Sequence, residues 1–188
     1  MRIIGGLAKG KNLFSPTGKT RPTSDRAREG LFSSLESEFG AMADLNFLDL
    51  YSGSGAVGVE ALSRGANLVV SVEKHPETAE IARKNFQLVK DAPGDYLVEN
   101  KDVFKYLDAT NNKFDIIFID PPYELTNESI EKLLKKILEQ GLLKENGIIA
   151  VERESKSNEF RWPTPLCGSK VRSYGQGSIY YGEYSASV

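Results

Sequence analysis

The segment Leu48-Asp49-Leu50-Tyr51-Ser52-Gly53-Ser54-Gly55-Ala56-Val57-Gly58 constrains the fold more than any other stretch. It leads from an apolar strand pattern over 47–51, through a glycine-bearing loop, into a helical pattern over 56–64. Glycines at such a junction let the backbone turn tightly and approach a ligand closely. The chain then keeps alternating. Strands are predicted over 68–73, 96–100, 114–120 and 148–152. The segments between them are helical: 76–90 with Ala79, Ala82, Phe86 and Val89 on one face, a short helix over 103–107, and the stripe Ile130, Leu133, Leu134, Ile137, Leu138. Five strands separated by helices predict an α/β fold, a parallel sheet covered on both faces.

Both ends depart from that rhythm. Residues 170–174 and 178–184 flank Gly175-Gln176-Gly177 and read as a hairpin, so the sheet is expected to close with antiparallel strands. Residues 2–5 and 11–15 suggest a small N-terminal hairpin. Pro16, Gly18 and Pro22 mark a loop, and Thr23 or Ser24 then caps a helix carrying Ala27, Leu31, Phe32, Leu35 and Phe39 and ending at Gly40. A chain of 188 residues can bury a core without a second domain. One cysteine and one histidine exclude an internal disulfide, a CxxC redox centre and a His/Cys metal site, and fit a reducing compartment; a cytoplasmic location is expected. No signal-peptide pattern opens the sequence, and the aliphatic runs are far below the ~18 residues of a membrane span.

The glycine loop sets the question of which ligand. Gly53 to Gly58 matches the dinucleotide pattern GxGxxG, and Glu73, 20 residues after Gly53, lies where a carboxylate holds ribose hydroxyls. Asp49 separates the possibilities. A carboxylate at the start of the loop would repel a pyrophosphate but suits a ligand bearing an ammonium and a sulfonium, which points to S-adenosylmethionine rather than NAD. Asp102, after the third strand, could reach an adenine amino group, with the Val103 N–H near a ring nitrogen, and could equally cap the following helix.

Asp120-Pro121-Pro122-Tyr123 follows the fourth strand, and in a parallel sheet that strand end and the glycine loop share one crevice. The lone pair of an exocyclic amine on a nucleobase is delocalised into the ring and is a poor nucleophile. Two acceptors, the Asp120 carboxylate and the Pro121 carbonyl, would fix the amine, favour tetrahedral nitrogen and stabilise the charge that develops as a methyl group arrives. Prolines stiffen the loop and add no competing donor, and Tyr123 offers a face for stacking an extruded base. Cys167 reads as a small residue at a strand start, and His75 as a helix-entry residue.

Charge is uneven. The net charge of −2 is the sum of +5 over residues 1–30 and −7 over the remainder, a basic arm on an acidic body. Lys9, Lys11, Arg21, Arg26 and Arg28 are candidates for phosphate contact, because a local patch matters more than global charge. A helix start laced by Asp25/Arg28 and Arg26/Glu29 pairs is the alternative reading.

The stretches Arg21-Pro-Thr-Ser-Asp-Arg-Ala-Arg-Glu-Gly-Leu-Phe32, Leu48 to Gly65 and Asp120-Pro-Pro-Tyr123 together resemble the bacterial 16S rRNA guanine-N2 methyltransferase family, RsmD, over nearly the whole chain. The resemblance implies a class I, Rossmann-like methyltransferase fold: a mostly parallel seven-stranded sheet with an antiparallel C-terminal hairpin and a small N-terminal hairpin. It implies one methyltransferase domain over 1–188, with 1–22 as the arm and 23–188 as the catalytic core. The implied reaction is methylation of N2 of guanine 966, in rRNA numbering, within assembled or assembling small ribosomal subunits, by a monomer without a metal. By motif position Gly53, Ser54 and Gly55 would flank the methionine part of S-adenosylmethionine, Glu73 its ribose and Asp102 its adenine, with Asp49, Tyr51, Lys74 and Val103 as further cofactor-binding candidates. Methylation of DNA adenine N6 or tRNA guanine N2 is the nearest alternative; an NAD-binding protein or a noncatalytic ribosome-binding factor leaves the DPPY loop without a purpose.

Overall fold

The structure, a computed structural model, describes residues 1–16, 24–157 and 160–185. Helix α1 (Asp25–Phe39) starts where the Ser24 hydroxyl accepts a hydrogen bond from the Ala27 N–H and stops at Gly40, whose positive φ of 78° ends the helical path. Thr23, the other expected cap, lies outside the described residues. There follow β1 (Asn46–Leu50), α2 (Ala56–Ser63), β2 (Leu68–Val72), α3 (Pro76–Gln87), β3 (Asp95–Glu99), α4 (Val103–Ala109), β4 (Phe114–Ile119), α5 (Asn127–Glu139), β5 (Leu143–Glu154), β6 (Leu166–Tyr174) and β7 (Gly177–Tyr184).

The strands form one sheet in the order β3-β2-β1-β4-β5-β7-β6. Strands β1 to β5 pair in parallel, and β7 pairs antiparallel with both β5 and β6. This is the expected mostly parallel seven-stranded sheet with a C-terminal hairpin. The interior strands are apolar on both faces, as a doubly covered sheet requires. On one face Phe47, Val69, Ile116 and Phe118 pack with Leu31, Phe32, Val59, Leu62 and Phe86 of α1, α2 and α3. On the other, Leu48, Val70, Ile117 and Ile119 pack with Leu107, Ile130, Leu133 and Ile137 of α4 and α5. The order reverses at β1: the chain runs outward through β2 and β3, then returns to add β4 on the other side of β1. A crevice therefore opens at the carboxyl ends of β1 and β4, where Leu50 lies beside Ile119.

Two expectations change. Strand β5 begins at Leu143, five residues before the expected start, because Leu143 pairs with Phe114 ahead of a register irregularity that takes up the polar run Lys144-Glu145-Asn146 before pairing resumes at Ile148 with Ile116. The N-terminal hairpin reduces to a single antiparallel bridge, Arg2 with Asn12. Its two sides are still tied by backbone bonds, from the Ile3 N–H to the Lys11 carbonyl (2.9 Å), the Gly10 N–H to the Ile3 carbonyl (2.9 Å) and the Leu13 N–H to the Met1 carbonyl (3.0 Å), and further groups bond to α2. The Ile4 and Gly5 N–H groups donate to the two carboxylate oxygens of Glu60 at 2.8 and 2.7 Å, and the Ala8 N–H donates to the Ser63 hydroxyl at 3.0 Å. The arm is thus strapped along α2 with Ile3, Ala8 and Leu13 buried. Gly6 is required there: its φ is +73°, and a Cβ would sit 1.8 Å from the Ser63 carbonyl oxygen.

Candidate active site

The glycine loop leaves β1 with Tyr51 in a left-handed conformation (φ 59°), followed by Gly53 (φ 53°) and Gly55 (φ 74°). The Ser52 N–H donates to the Val72 carbonyl and the Gly55 N–H to the Ser52 carbonyl, so the loop curls over the end of β2. Two features mark it as a cradle. A Cβ at Gly53 would meet nothing within 4 Å, and the Ser52 hydroxyl oxygen is buried without a hydrogen-bond partner. Beside them the Glu73 carboxylate accepts from the Gly53 N–H at 3.0 Å and the His75 N–H at 2.8 Å, which holds it at the carboxyl end of β2.

Asp49 is placed differently from its expected ligand contact. Alternation along β1 puts its side chain on the face of Phe47, toward α2, where it is 1% exposed. One oxygen accepts from the Gly58 N–H at 3.0 Å and lies 3.5 Å from the Ser71 hydroxyl. Asp49 therefore braces the loop from beneath. Burial pushes its carboxyl up to about 8; the Gly58 N–H opposes this, and the charges of Asp120 and Glu73 add to it. A pH prediction follows with a definite sign. The folded value lies above the usual 3.8, so the folded state holds this proton more tightly, and the associated stability is present below pH 4 and lost as pH rises through about 8. Asp49→Asn, which keeps an acceptor for Gly58, is expected to lose less melting temperature than the wild type between pH 5 and pH 8; an equal loss by calorimetry would refute it.

At the neighbouring strand end, the Asp120 N–H donates to the Leu50 carbonyl at 3.3 Å and ties the DPPY loop to β1. Asp120 is half-buried, Pro121 buried, and Pro122 and Tyr123 exposed, Tyr123 at 45%. The Leu125 N–H closes a turn onto the Pro122 carbonyl at 2.9 Å. The pairing of Leu50 with Ile119 and the bond from the Asp120 N–H to the Leu50 carbonyl set the two expected motifs side by side at one crevice.

The remaining expected positions separate. Asp102 caps α4, accepting from the Phe104 and Lys105 N–H groups, and Val103 is buried beside it. Burial pushes the Tyr51 hydroxyl up to about 12, with the Asp102 carboxylate adding to the shift. Lys74 is exposed, His75 stands at the entry to α3, and exposed Cys167 is the second residue of β6. In the arm, Lys9, Lys11 and Arg26 are exposed, although Lys11 Nζ donates to the Leu88 carbonyl at 2.8 Å. Arg21 lies outside the described residues. Arg28 is a correction: it is 0% exposed, and one Nη donates to Asp25 and to the Arg2 carbonyl, both at 2.7 Å. Its guanidinium joins α1 to the arm and presents no surface to phosphate.

Three residues emerge only from the structure. Asn100 Nδ2 donates to the carbonyls of Glu73 (2.9 Å) and Lys74 (3.0 Å), fixing the peptide that carries Glu73. Arg153, 6% exposed near the end of β5, lies 3.5 Å from the Asn127 side chain at the start of α5. Asn85 is 0% exposed and touches both the arm and the glycine loop. Of these, Asn85 had a signal: it falls on the α3 face of Ala82, Phe86 and Val89, where a polar residue needs partners.

Known proteins resemble this chain over most of its length. Residues 1–183 match the model of the family described as conserved hypothetical protein 95. The ribosomal RNA small subunit methyltransferase D of Escherichia coli (strain K12) is 34% identical over 186 residues, 98% of this chain and 89% of that protein. The protein of the same name from Haemophilus influenzae is 35% identical over 158 residues, 82% of this chain and 79% of that one. The solved structure of yhhF from Escherichia coli superposes with a TM-score of 0.83 at 30% identity, covering 100% of this chain and 99% of that one.

Proposed function

The chain belongs to the conserved hypothetical protein 95 family, the RsmD family, and from that premise we propose that it transfers a methyl group from S-adenosylmethionine to N2 of a guanine, guanine 966, in small-subunit rRNA. The observation that carries this reading is the convergence of an open glycine cradle and the Asp120-Pro121 acceptor pair on one crevice. The cradle fits the cofactor. The Ser52 hydroxyl suits its methionine end, Glu73 its ribose, and Asp102 with the Val103 N–H its adenine. A sulfonium cation is matched by the carboxylates of Asp120 and Glu73, where a pyrophosphate would be repelled.

When bound, the cofactor supplies an electrophilic methyl group. The chain's own residues prepare the nucleophile. Asp120 and the Pro121 carbonyl each accept one N–H of the guanine amine, which orients its lone pair across the crevice toward the glycine loop. As nitrogen gains a fourth bond its positive charge develops beside the Asp120 carboxylate, and the amine then loses a proton to Asp120 or to water. Tyr123 stacks on the extruded base. A stack of this kind is worth roughly 1–3 kcal/mol by alanine substitution.

The exposed cations of the arm seat RNA phosphates. Lys9→Ala and Arg26→Ala are each expected to weaken binding to unmethylated small subunits about 3- to 10-fold at low salt and to reduce the salt slope by about one. Unchanged slopes in both variants would remove the arm from the RNA interface. The proposed function is tested by mass spectrometry of rRNA from cells with and without the gene. Loss of one N2-methylguanine from the small subunit is expected, and an unaltered rRNA would overturn the assignment.

A further inference from the structure

The side-chain amide of Asn85 is the one buried group, among the described residues, that bonds to both the basic arm and the glycine loop. Its Oδ1 accepts from the Phe14 N–H at 2.8 Å, and its Nδ2 donates to the Phe14 carbonyl and to the Ser54 carbonyl, each at 2.9 Å. Both hydrogens of the amide are therefore spent, one on each partner, and the oxygen takes the arm a second time. The group is rigid and planar, 0% exposed, and Phe14 and Ser54 stand 71 and 31 residues from it in sequence. Neighbouring contacts leave α3 little room: a Cβ at Gly55 would lie 3.1 Å from Ala82 Cβ and 3.3 Å from the Phe86 ring.

Such an amide cannot serve one partner in two positions of the other. If the Phe14 backbone shifts, the amide either turns with it and abandons the Ser54 carbonyl, or stays and leaves the Phe14 groups unpaired inside the protein. The Ser54 carbonyl belongs to the loop that cradles the cofactor, and Phe14 ends the strapped arm that carries Lys9 and Lys11. We propose that Asn85 is a positioning residue that couples the two binding events: RNA seated on the arm fixes the cofactor loop, and cofactor seated in the loop fixes the arm. Linkage makes the effect reciprocal. The inference rests on the methyltransferase reading above.

The experiment measures binding of S-adenosylhomocysteine, which permits no turnover, to the full chain by titration calorimetry, with and without saturating unmethylated small ribosomal subunits. The wild type is expected to bind it about 5- to 20-fold more tightly in their presence, within the usual range of coupling between sites. Asn85→Asp keeps an acceptor for the Phe14 N–H and loses both donated bonds, so its coupling is expected to fall to within twofold of unity. Phe14→Ala preserves the backbone bonds and is expected to keep the coupling. A second measurement needs no variant: S-adenosylhomocysteine added to the wild type is expected to slow amide exchange at Phe14 at least threefold. Unchanged exchange at Phe14, or an affinity indifferent to the subunits, would overturn the proposal. Failure of S-adenosylhomocysteine to bind the wild type at all would instead sink the methyltransferase reading.

Discussion

Asp120→Ala is expected to lower the rate of methyl transfer by about 10³-fold while leaving S-adenosylmethionine affinity within about threefold of the wild type, because this carboxylate acts mainly on the amine and the charge that develops on it, while Glu73 stays beside the cofactor. The backbone N–H of Asp120 that bonds to the Leu50 carbonyl survives the substitution, so the loop stays tied to β1. The substitution also removes one of the charges that push the Asp49 carboxyl up, which brings that value down. Asp120→Asn retains an acceptor for the amine without the charge and is expected to fall between the two. Single-turnover methylation of unmethylated small subunits reads the rate and calorimetry reads the affinity. A variant that turns over normally, or one that no longer binds cofactor, would take the central role away from Asp120.

The second large effect concerns stability. Glu60 lies on α2 with 0% exposure, and its two oxygens accept from the Ile4 and Gly5 N–H groups and from Arg64 Nε at 2.9 Å. Arg64 in turn pairs with Glu36 at 2.7 Å and lies 4.9 Å over the Phe32 ring. Glu60→Ala strands three donors inside the protein and is expected to cost about 3–5 kcal/mol, read as a lower urea midpoint. It also releases the arm, so limited proteolysis is expected to clip the first residues before the core unfolds. Glu60→Gln retains one acceptor and is expected to lie between. An arm that stays protected in Glu60→Ala would show that apolar burial of Ile3, Ala8 and Leu13 holds it without the strap.

Period and punctuation made most of the fold legible. The strand ends and the glycine loop followed from alternation and from glycines at one junction, and the crevice followed from parallel strands sharing a carboxyl end. The misreading of Arg28 shows the limit of a charge count. Arg26 and Arg28 look equivalent in a basic run, yet two helical residues differ by roughly 200°, and Arg28 shares the stripe of Leu31, Phe32 and Leu35. Helical geometry therefore had the information, and charge alone did not. Asn100 and Arg153 are another matter. Their partners lie 26 or 27 residues away and are brought near by sheet order, which no local pattern of Asn or Arg encodes. The early start of β5 escaped because Leu143 pairs with Phe114 alone, separated from Ile148 by the polar, irregular run Lys144-Glu145-Asn146 that breaks the apolar pattern.

The place of β7 bears on how the molecule is made. It follows both β5 and β6 in sequence, yet it sits between them, both being synthesised before it. Until residues 177–184 emerge from the ribosomal tunnel, β5 presents an open edge of unpaired N–H and C=O groups, and β6 has no neighbour to join. Vectorial synthesis can therefore assemble β1 to β5 progressively, but the final two strands must enter together. The tight turn at Gly175 (φ 67°) lets them zip as a hairpin before docking on β5. Between the making of β5 and the docking of β7 the nascent sheet carries a sticky margin, and β7 is the strand that seals it.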